Sequence, residues 1–196
     1  MSSEQLEQLR KEAEKNPKKS WRYLQFLEDN NLDKPKEVTH YGKILLDSKN
    51  VPANKRWRLL ERVVISALQC HKTSVATECL NELSQSFGED SKRIKLLRGM
   101  ILEKQEEWNK TEHIYNLILK EDNNNTGALK RKIALLISQR NEKAAIHKLN
   151  EYLSLVDAFD LKQHNYELAK FACEELLMLP TQSLNFFFFK KKKSWF

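Results

Sequence analysis

The sequence predicts an all-α fold in which helical hairpins stack side by side. Apolar residues recur at the three- and four-residue spacing of an amphipathic helix along most of the 196 residues. Glycine and proline number only four each, so few tight turns of the hairpin type are available. A two-helix pattern is also repeated through residues 57–159, as in an array of similar units. Together these observations favour helices throughout the chain.

The repeat is clearest in the second helix of each unit. A small residue, an apolar residue four places on and another three places further recur at offsets of 35 and 34 residues. The three sets are Ala76, Leu80 and Leu83; Thr111, Tyr115 and Ile118; and Ala145, Leu149 and Tyr152. This is the period of the tetratricopeptide repeat, so we predict a helical-hairpin solenoid wound as a right-handed superhelix. One hairpin cannot bury its own core, and a stack leaves a long surface that suits a binding or scaffold role.

The first 56 residues are predicted to form N-terminal helices ahead of the repeats. Their helical segments are Ser3–Lys15, Trp21–Asp29 and roughly residues 37–48. Ser20 stands where an N-cap of the second segment is expected, and Gly42 in the third predicts close packing against a neighbour. Three repeats follow, at about residues 57–90, 92–125 and 126–159.

Beyond residue 159 the register of the repeat fails. The motif that begins at Tyr166 reads as another second helix, but its Ala169 arrives ten residues earlier than the period requires. Residues 160–184 are therefore predicted to be a partial fourth repeat. Residues 185–196 contain four Phe followed by four Lys, and we expect a disordered low-complexity tail, from read-through or an alternative terminus. A membrane-surface anchor is the alternative interpretation of that tail.

The charge balance does not favour a nucleic-acid partner. The net charge is +7, but residues 190–193 supply four of these charges, and the remaining charged residues are of mixed sign. Basic clusters at residues 92–98 and 130–132 lie among apolar seam residues without interleaved aromatic side chains. We therefore expect no binding to nucleic acid.

No residue pattern points to catalysis, a cofactor or a metal. The three cysteines, Cys70, Cys79 and Cys173, lie in apolar helical stretches without a close-spaced pair, which indicates buried reduced thiols. His113 and His147 recur with the period but lie off the seam, where solvated surface is expected. The glycines are isolated, so no phosphate-binding loop is present. We predict a protein that is not an enzyme; an unrecognised active site would require an enclosed polar pocket.

The location of the protein is suggested by what its sequence lacks. The first 15 residues are charged throughout, unlike a signal peptide. No apolar run approaches the roughly 18 residues of a membrane-spanning helix. These features predict a cytosolic protein whose association with any membrane is indirect.

Five short motifs carry a more specific signal than the repeat period. They are Cys79-Leu80-x-Glu82-Leu83, Arg93-x-Lys95-x-Leu97-x-Gly99-Met100, Ile118-Leu119-x-Glu121-Asp122, Asn125-Thr126-x-Ala128-x-Lys130-Arg131-Lys132-Ile133-Ala134 and Leu149-Asn150-Glu151-Tyr152-Leu153. With these motifs, residues 57–153 resemble subunit 2 of the endoplasmic reticulum membrane protein complex, also called the tetratricopeptide repeat protein 35 family.

The resemblance implies a scaffold at the cytoplasmic side of the endoplasmic reticulum membrane, held there peripherally by other subunits of the complex. It also implies a role in the insertion of newly made membrane proteins, tail-anchored and multipass ones included, without nucleotide energy. The family continues with further helices, so the chain resembles a C-terminally shortened or alternatively spliced form.

A partner-binding groove is predicted on the first helices of the repeats, from repeat geometry and clustered charge. Its predicted residues are Arg58, Ile65, Arg93, Met100, Lys130 and Arg131. The alternative function is a tetratricopeptide adaptor that binds the C-terminal tails of chaperones or another peptide. Such a clamp uses asparagines that are absent from these positions, whereas Ile65 and Met100 suit an apolar partner segment better.

Overall fold

The computed structural model describes residues 3–16, 20–48, 51 and 53–160, and within these ranges the chain forms nine α-helices and no strand. The helices are α1 (Ser3–Lys15), α2 (Trp21–Asp29), α3 (Pro35–Asp47), α4 (Ala53–Gln69), α5 (Thr73–Phe87), α6 (Lys92–Lys104), α7 (Trp108–Glu121), α8 (Thr126–Ser138) and α9 (Glu142–Asp160). The all-α prediction is therefore confirmed. The predictions for the partial fourth repeat and for the Phe/Lys tail fall on residues outside these ranges, except for Asp160 at the end of α9.

The contacts divide the chain into two compact units. Unit 1 is Met1–Lys104 and unit 2 is Gln105–Phe196. In unit 1 each helix from α1 to α6 packs on the next one along the chain, and α4 also packs on α6. In unit 2, α7 packs on α8, and α8 packs on α9. Unit 1 therefore joins the N-terminal helices to the first predicted repeat, and its limit falls inside the range predicted for the second.

The seam predicted from the 34-residue period is buried. Ala76 and Thr111 are 0% exposed, and Ala145 is 1% exposed. The apolar residue four places further on is also buried in each second helix. Tyr152, at the last seam position, is only half-buried. The spacing thus identified the inward side of α5, α7 and α9.

A residue with left-handed backbone recurs at the elbow of each predicted repeat. His71, Glu106 and Arg140 have φ angles of 58°, 60° and 56°, and they are spaced by the same 35 and 34 residues as the seam. At the first elbow, His71 N–H donates to Leu68 O at 3.2 Å and Lys72 N–H donates to an earlier carbonyl of α4 at 2.8 Å. These two bonds form a Schellman motif, which closes the helix by satisfying its last carbonyls.

The structure contains a further hairpin, α2–α3, that the periodicity did not reveal. Asn31 has φ 50°, its N–H donates to Glu28 O at 3.0 Å, and Leu32 N–H donates to Leu27 O at 2.8 Å. These are the bonds of the Schellman motif at His71. Two additional residues in the elbow shift the register of the second helix. The residues that then take the places of the seam residues of α5 are Val38, Gly42 and Leu45, all buried.

Two local predictions about the N-terminal helices have different outcomes. A Cβ on Gly42 would lie 2.4 Å from Cγ2 of Val63, so the predicted close packing is confirmed, between α3 and α4. Ser20 occupies the predicted N-cap position of α2, but its side chain makes no capping hydrogen bond. Its backbone is already helical, with φ −67° and ψ 0°, whereas a capping residue is normally extended. α3 also begins two residues earlier than predicted, at Pro35, where the fixed φ of proline suits a first helical position.

Candidate partner-binding surface

The predicted groove residues of unit 1 lie on α4 and α6, which contact each other. Arg58 and Arg93 are exposed and Ile65 is half-buried. Met100 is only 6% exposed and belongs to the core, so its predicted place on a binding surface is not supported. The second half of α6 is buried on most sides. The spacing of apolar residues cannot identify an exposed face on a helix that is buried in this way.

The predicted groove residues of unit 2, Lys130 and Arg131, are neighbours on α8, and both are partly exposed. The ammonium of Lys130 lies 5.3 Å from the ring centroid of Tyr152 on α9, a cation–π contact. Lys132, one place beyond Arg131, has a side chain that is only 14% exposed, and burial lowers its pKa. The middle of α8 is therefore cationic, and one of its cations, Lys130, is held on an aromatic face.

Arg58 and Arg93 each pair with a glutamate of the preceding first helix. Arg58 of α4 forms an ion pair with Glu28 of α2, and Arg93 of α6 forms one with Glu61 of α4. The Arg93 pair has two bonds, one of them from Nε to Oε1 at 2.8 Å, and this bonding raises the pKa of Arg93. We call these two ion pairs the first-helix ladder. It compensates part of the positive charge that the sequence predicted for the groove.

The glutamates of the ladder were missed in the sequence because their pairing depends on the register between neighbouring helices. The two arginines are 35 residues apart and so follow the period, but Glu28 and Glu61 are 33 apart and stand at different places in their helices. The side chains of Arg58 and Arg93 are 76% and 72% exposed. Exposed pairs of this kind stabilise a fold by only about 0–1 kcal/mol, so a partner can compete for these arginines.

A pocket of about 110 Å³ lies between α2 and α4, and Arg58 contributes to its wall. We call it the α2–α4 pocket. Its lining residues are Trp21, Leu24, Gln25, Glu28, Asp29, Lys55, Arg58, Leu59 and Arg62. Leu24 and Leu59 are buried and provide an apolar base, while Lys55 and Gln25 are exposed. The pocket therefore combines apolar surface with three cations and two carboxylates.

Arg62 and Lys55 have different environments in the α2–α4 pocket. Nη1 of Arg62 donates to Leu24 O at 2.8 Å and lies 3.4 Å from a carboxylate oxygen of Glu28. Burial lowers the pKa of Arg62, and Glu28 opposes that effect. The ammonium of Lys55 lies 5.3 Å from the ring centroid of Trp21. Among the residues that the structure describes, Lys55 forms no ion pair, so its charge is available to a partner.

Among the described residues, the thiols and imidazoles outside this surface show no arrangement typical of a reactive group. Burial raises the pKa of the Cys79 thiol to about 11, and a protonated buried thiol is a poor nucleophile. His113 and His147 are exposed, as predicted. Over the described ranges there is no group of three or more His, Cys, Asp or Glu side chains able to hold a metal ion. The helices in those ranges also include none that is both long enough and apolar enough to cross a membrane.

Comparison with known proteins gives specific relatives, although no protein-family model matches the chain. The chain is 32% identical to ER membrane protein complex subunit 2-A of Xenopus laevis over 188 residues, 88% of this chain and 59% of the relative. It is 25% identical to ER membrane protein complex subunit 2 of Dictyostelium discoideum over 178 residues, 85% of this chain and 55% of the relative. The resemblance identified from the five motifs is therefore confirmed by curated homologues.

A further relative carries the repeat class in its name. The chain is 33% identical to the TPR repeat protein oca3 of Schizosaccharomyces pombe over 134 residues, 63% of this chain and 47% of the relative. This agrees with the hairpin period found in the sequence. In each of these comparisons, the chain spans less than two thirds of the relative's length.

Proposed function

We propose that this chain, a homologue of ER membrane protein complex subunit 2 of Xenopus and Dictyostelium, is a scaffold subunit of such a complex. It binds other subunits with its helical array, from the cytoplasmic side of the endoplasmic reticulum membrane, and is held there peripherally. The complex to which it contributes inserts newly made membrane proteins, tail-anchored and multipass ones included, without nucleotide energy. The chemistry of insertion belongs to membrane-embedded subunits, and this chain acts by binding and bracing them.

The observation that carries this proposal, beside the homology, is the open surface of first helices in unit 1. Arg58, Arg93 and Ile65 are accessible on α4 and α6, and the ladder holds the arginines in place. A surface with charged and apolar side chains over adjacent helices suits a polypeptide partner better than a small substrate, which requires a concave site.

The proposal is tested by isolating the tagged chain from cells and identifying the co-purified proteins by mass spectrometry. Other subunits of the complex are expected in the wild-type sample. The double variant Arg58→Glu, Arg93→Glu should lose most of them, because it repels Glu28 and Glu61 and reverses the charge of the surface. Arg10→Glu is the matched control, since Arg10 is an exposed arginine of α1 that also forms an ion pair. Absence of every other subunit from the wild-type sample would refute the proposal.

The adaptor alternative is less well supported by the site. A clamp for a terminal carboxylate uses asparagines beside its cationic donors, and these are absent from the predicted groove positions on α4, α6 and α8. Titration of an acidic chaperone C-terminal peptide tests this alternative directly. Binding in the micromolar range that is lost when the peptide is amidated at its C-terminus would favour the adaptor.

A further inference from the structure

The α2–α4 pocket lies at the N-terminal end of the surface proposed above to bind other subunits. α2 is the first helix of the hairpin α2–α3, just as α4 is the first helix of the next one. The stripe Trp21, Gln25 and Glu28 on α2 faces Lys55, Arg58 and Arg62 on α4 across the pocket. The binding surface of unit 1 therefore includes α2, which the sequence had placed outside the repeats.

The size of the pocket limits what can enter it. A cavity of about 150 Å³ holds one benzene molecule. The α2–α4 pocket measures about 110 Å³, so it accommodates one side chain rather than a length of backbone. A partner that uses it must place a single side chain between the two helices while the rest of the partner lies outside.

The α2–α4 pocket is lined by three cations and by the carboxylates of Glu28 and Asp29, and its net charge of +1 (three minus two) favours an anionic side chain. Glu28 is bound by Arg58 and by Arg62, so both arginines share one carboxylate. Lys55 is not paired with a carboxylate in the described part of the chain, and its neighbour across the helix turn, Arg58, has a side chain that is 76% exposed. Residues three apart on a helix have Cβ atoms about 5–6 Å apart, so Lys55 and Arg58 can donate to the same carboxylate.

We infer that the α2–α4 pocket binds one aspartate or glutamate side chain within a segment of a partner subunit. Its carboxylate is held by Lys55 and Arg58, and its methylene groups lie against the indole of Trp21. This inference depends on the proposed scaffold function for the identity of the partner. It differs from a carboxylate clamp for chaperone tails because the acidic group is internal to the partner's sequence.

The test uses overlapping synthetic peptides from the cytosolic segments of the other subunits, amidated at their C-termini. Each peptide that contains Asp or Glu is paired with a version that has Asn or Gln instead, and binding to the full chain is measured by fluorescence anisotropy. At least one acidic peptide should bind, and the amide version should bind about tenfold more weakly or worse, as expected for loss of a charge-assisted hydrogen bond. Lys55→Gln combined with Arg58→Gln should cause a similar loss, while Lys11→Gln on the exposed side of α1 should cause none.

Three other outcomes would overturn the inference. Equal binding of the acidic and amide peptides would show that the pocket does not distinguish a carboxylate from a neutral amide. Binding to anionic phospholipid vesicles that depends on Lys55, without binding to any peptide, would assign the cations to a membrane surface. Binding only of peptides with a free terminal carboxylate would assign the cations to a tail adaptor.

Trp21→Leu, which keeps an apolar side chain, should weaken binding of the acidic peptide. An unchanged affinity would show that Trp21 is not part of the site.

Failure of this inference is distinguishable from failure of the proposed function. If other subunits co-purify with the tagged chain but the pocket variants leave peptide binding unchanged, the scaffold function holds and the pocket is not the contact. If no other subunit co-purifies, the scaffold function itself is wrong, whatever the peptides do.

Discussion

Gly42 of α3 lies directly against Val63 of α4. A Cβ on the glycine would stand 2.4 Å from Cγ2 of the valine, which is 0% exposed. Because valine has little rotational freedom at χ1 in a helix, its methyl group cannot move aside easily. The contact therefore sets how closely α3 and α4 approach.

This contact predicts that Gly42→Ala destabilises unit 1. Alanine is favoured over glycine by about 1 kcal/mol inside a helix, but overpacking a core costs roughly 1–3 kcal/mol, and overpacking is expected to dominate here. Urea unfolding followed by far-UV circular dichroism measures the change. Combination with Val63→Ala should recover part of the loss, so the two effects should not be additive. A more stable Gly42→Ala variant would mean that α3 and α4 can separate without cost.

The elbows predict a stabilising substitution. His71 and Arg140 have left-handed backbone, which costs a non-glycine residue roughly 1–2 kcal/mol. Glycine removes that cost but loses more conformational entropy on folding, so His71→Gly and Arg140→Gly should each stabilise the fold by about 0.5–1 kcal/mol. Asn31→Gly should have a smaller effect, since asparagine tolerates this conformation. Thermal unfolding midpoints provide the comparison. Lower midpoints for both glycine variants would contradict the expected cost of left-handed backbone at His71 and Arg140.

The different environments of Arg93 and Arg62 predict different costs for replacing each of them. Arg93→Gln removes an exposed pair and should cost about 1 kcal/mol or less, an effect that vanishes at high salt. Arg62→Gln should cost more, about 1–3 kcal/mol, because it takes a half-buried donor away from the Leu24 carbonyl. Unfolding free energies at low and high NaCl concentration separate the two effects. Equal costs would show that burial of Arg62 does not matter.

The two described cysteines are predicted to differ in reactivity. Because burial raises the pKa of Cys79 to about 11, its thiolate fraction near neutral pH is very small, whereas Cys70 is partly exposed. Iodoacetamide should modify Cys70 in the native protein and Cys79 only after unfolding, as located by peptide mass spectrometry. The thiol of Cys79 has its ordinary pKa of 9.0 in the unfolded chain. Between that pH and about 11, this thiol is therefore deprotonated in the unfolded chain but still protonated in the folded one. The free energy of unfolding should therefore fall over this range, and less so in Cys79→Ala.

Much of the fold could be predicted from periodicity because the seam residues repeat at nearly constant spacing. Ala76 and Thr111 are fully buried where the offset of 35 places them, and the elbows of the repeats follow the same offsets. The hairpin α2–α3 was missed because two extra residues in its elbow shift α3 out of register. The Schellman motif at Asn31 identifies this hairpin in the structure, and the spacing of apolar residues does not predict such a motif.

The candidate site was less predictable because it depends on contacts between helices. Spacing placed Met100 on the same stripe as Arg93, but it could not show that the second half of α6 is buried. The glutamates of the ladder are also invisible to a period, since Glu28 and Glu61 stand at different places in their helices. Trp21 and Lys55 come together only because α2 packs beside α4. The spacing of residues within a helix does not reveal which helices are neighbours.

The fit between Gly42 and α4 has a practical consequence for anyone who shortens this chain. A fragment that starts at residue 57, where the repeats were expected to begin, would lose α3 and leave the side of Leu59 and Val63 that faces Gly42 open to water. Such a fragment is expected to aggregate or to unfold partially, since a large apolar patch on a surface is an aggregation liability. A fragment that starts before Ser20 keeps the hairpin α2–α3 whole, so this side of α4 stays covered.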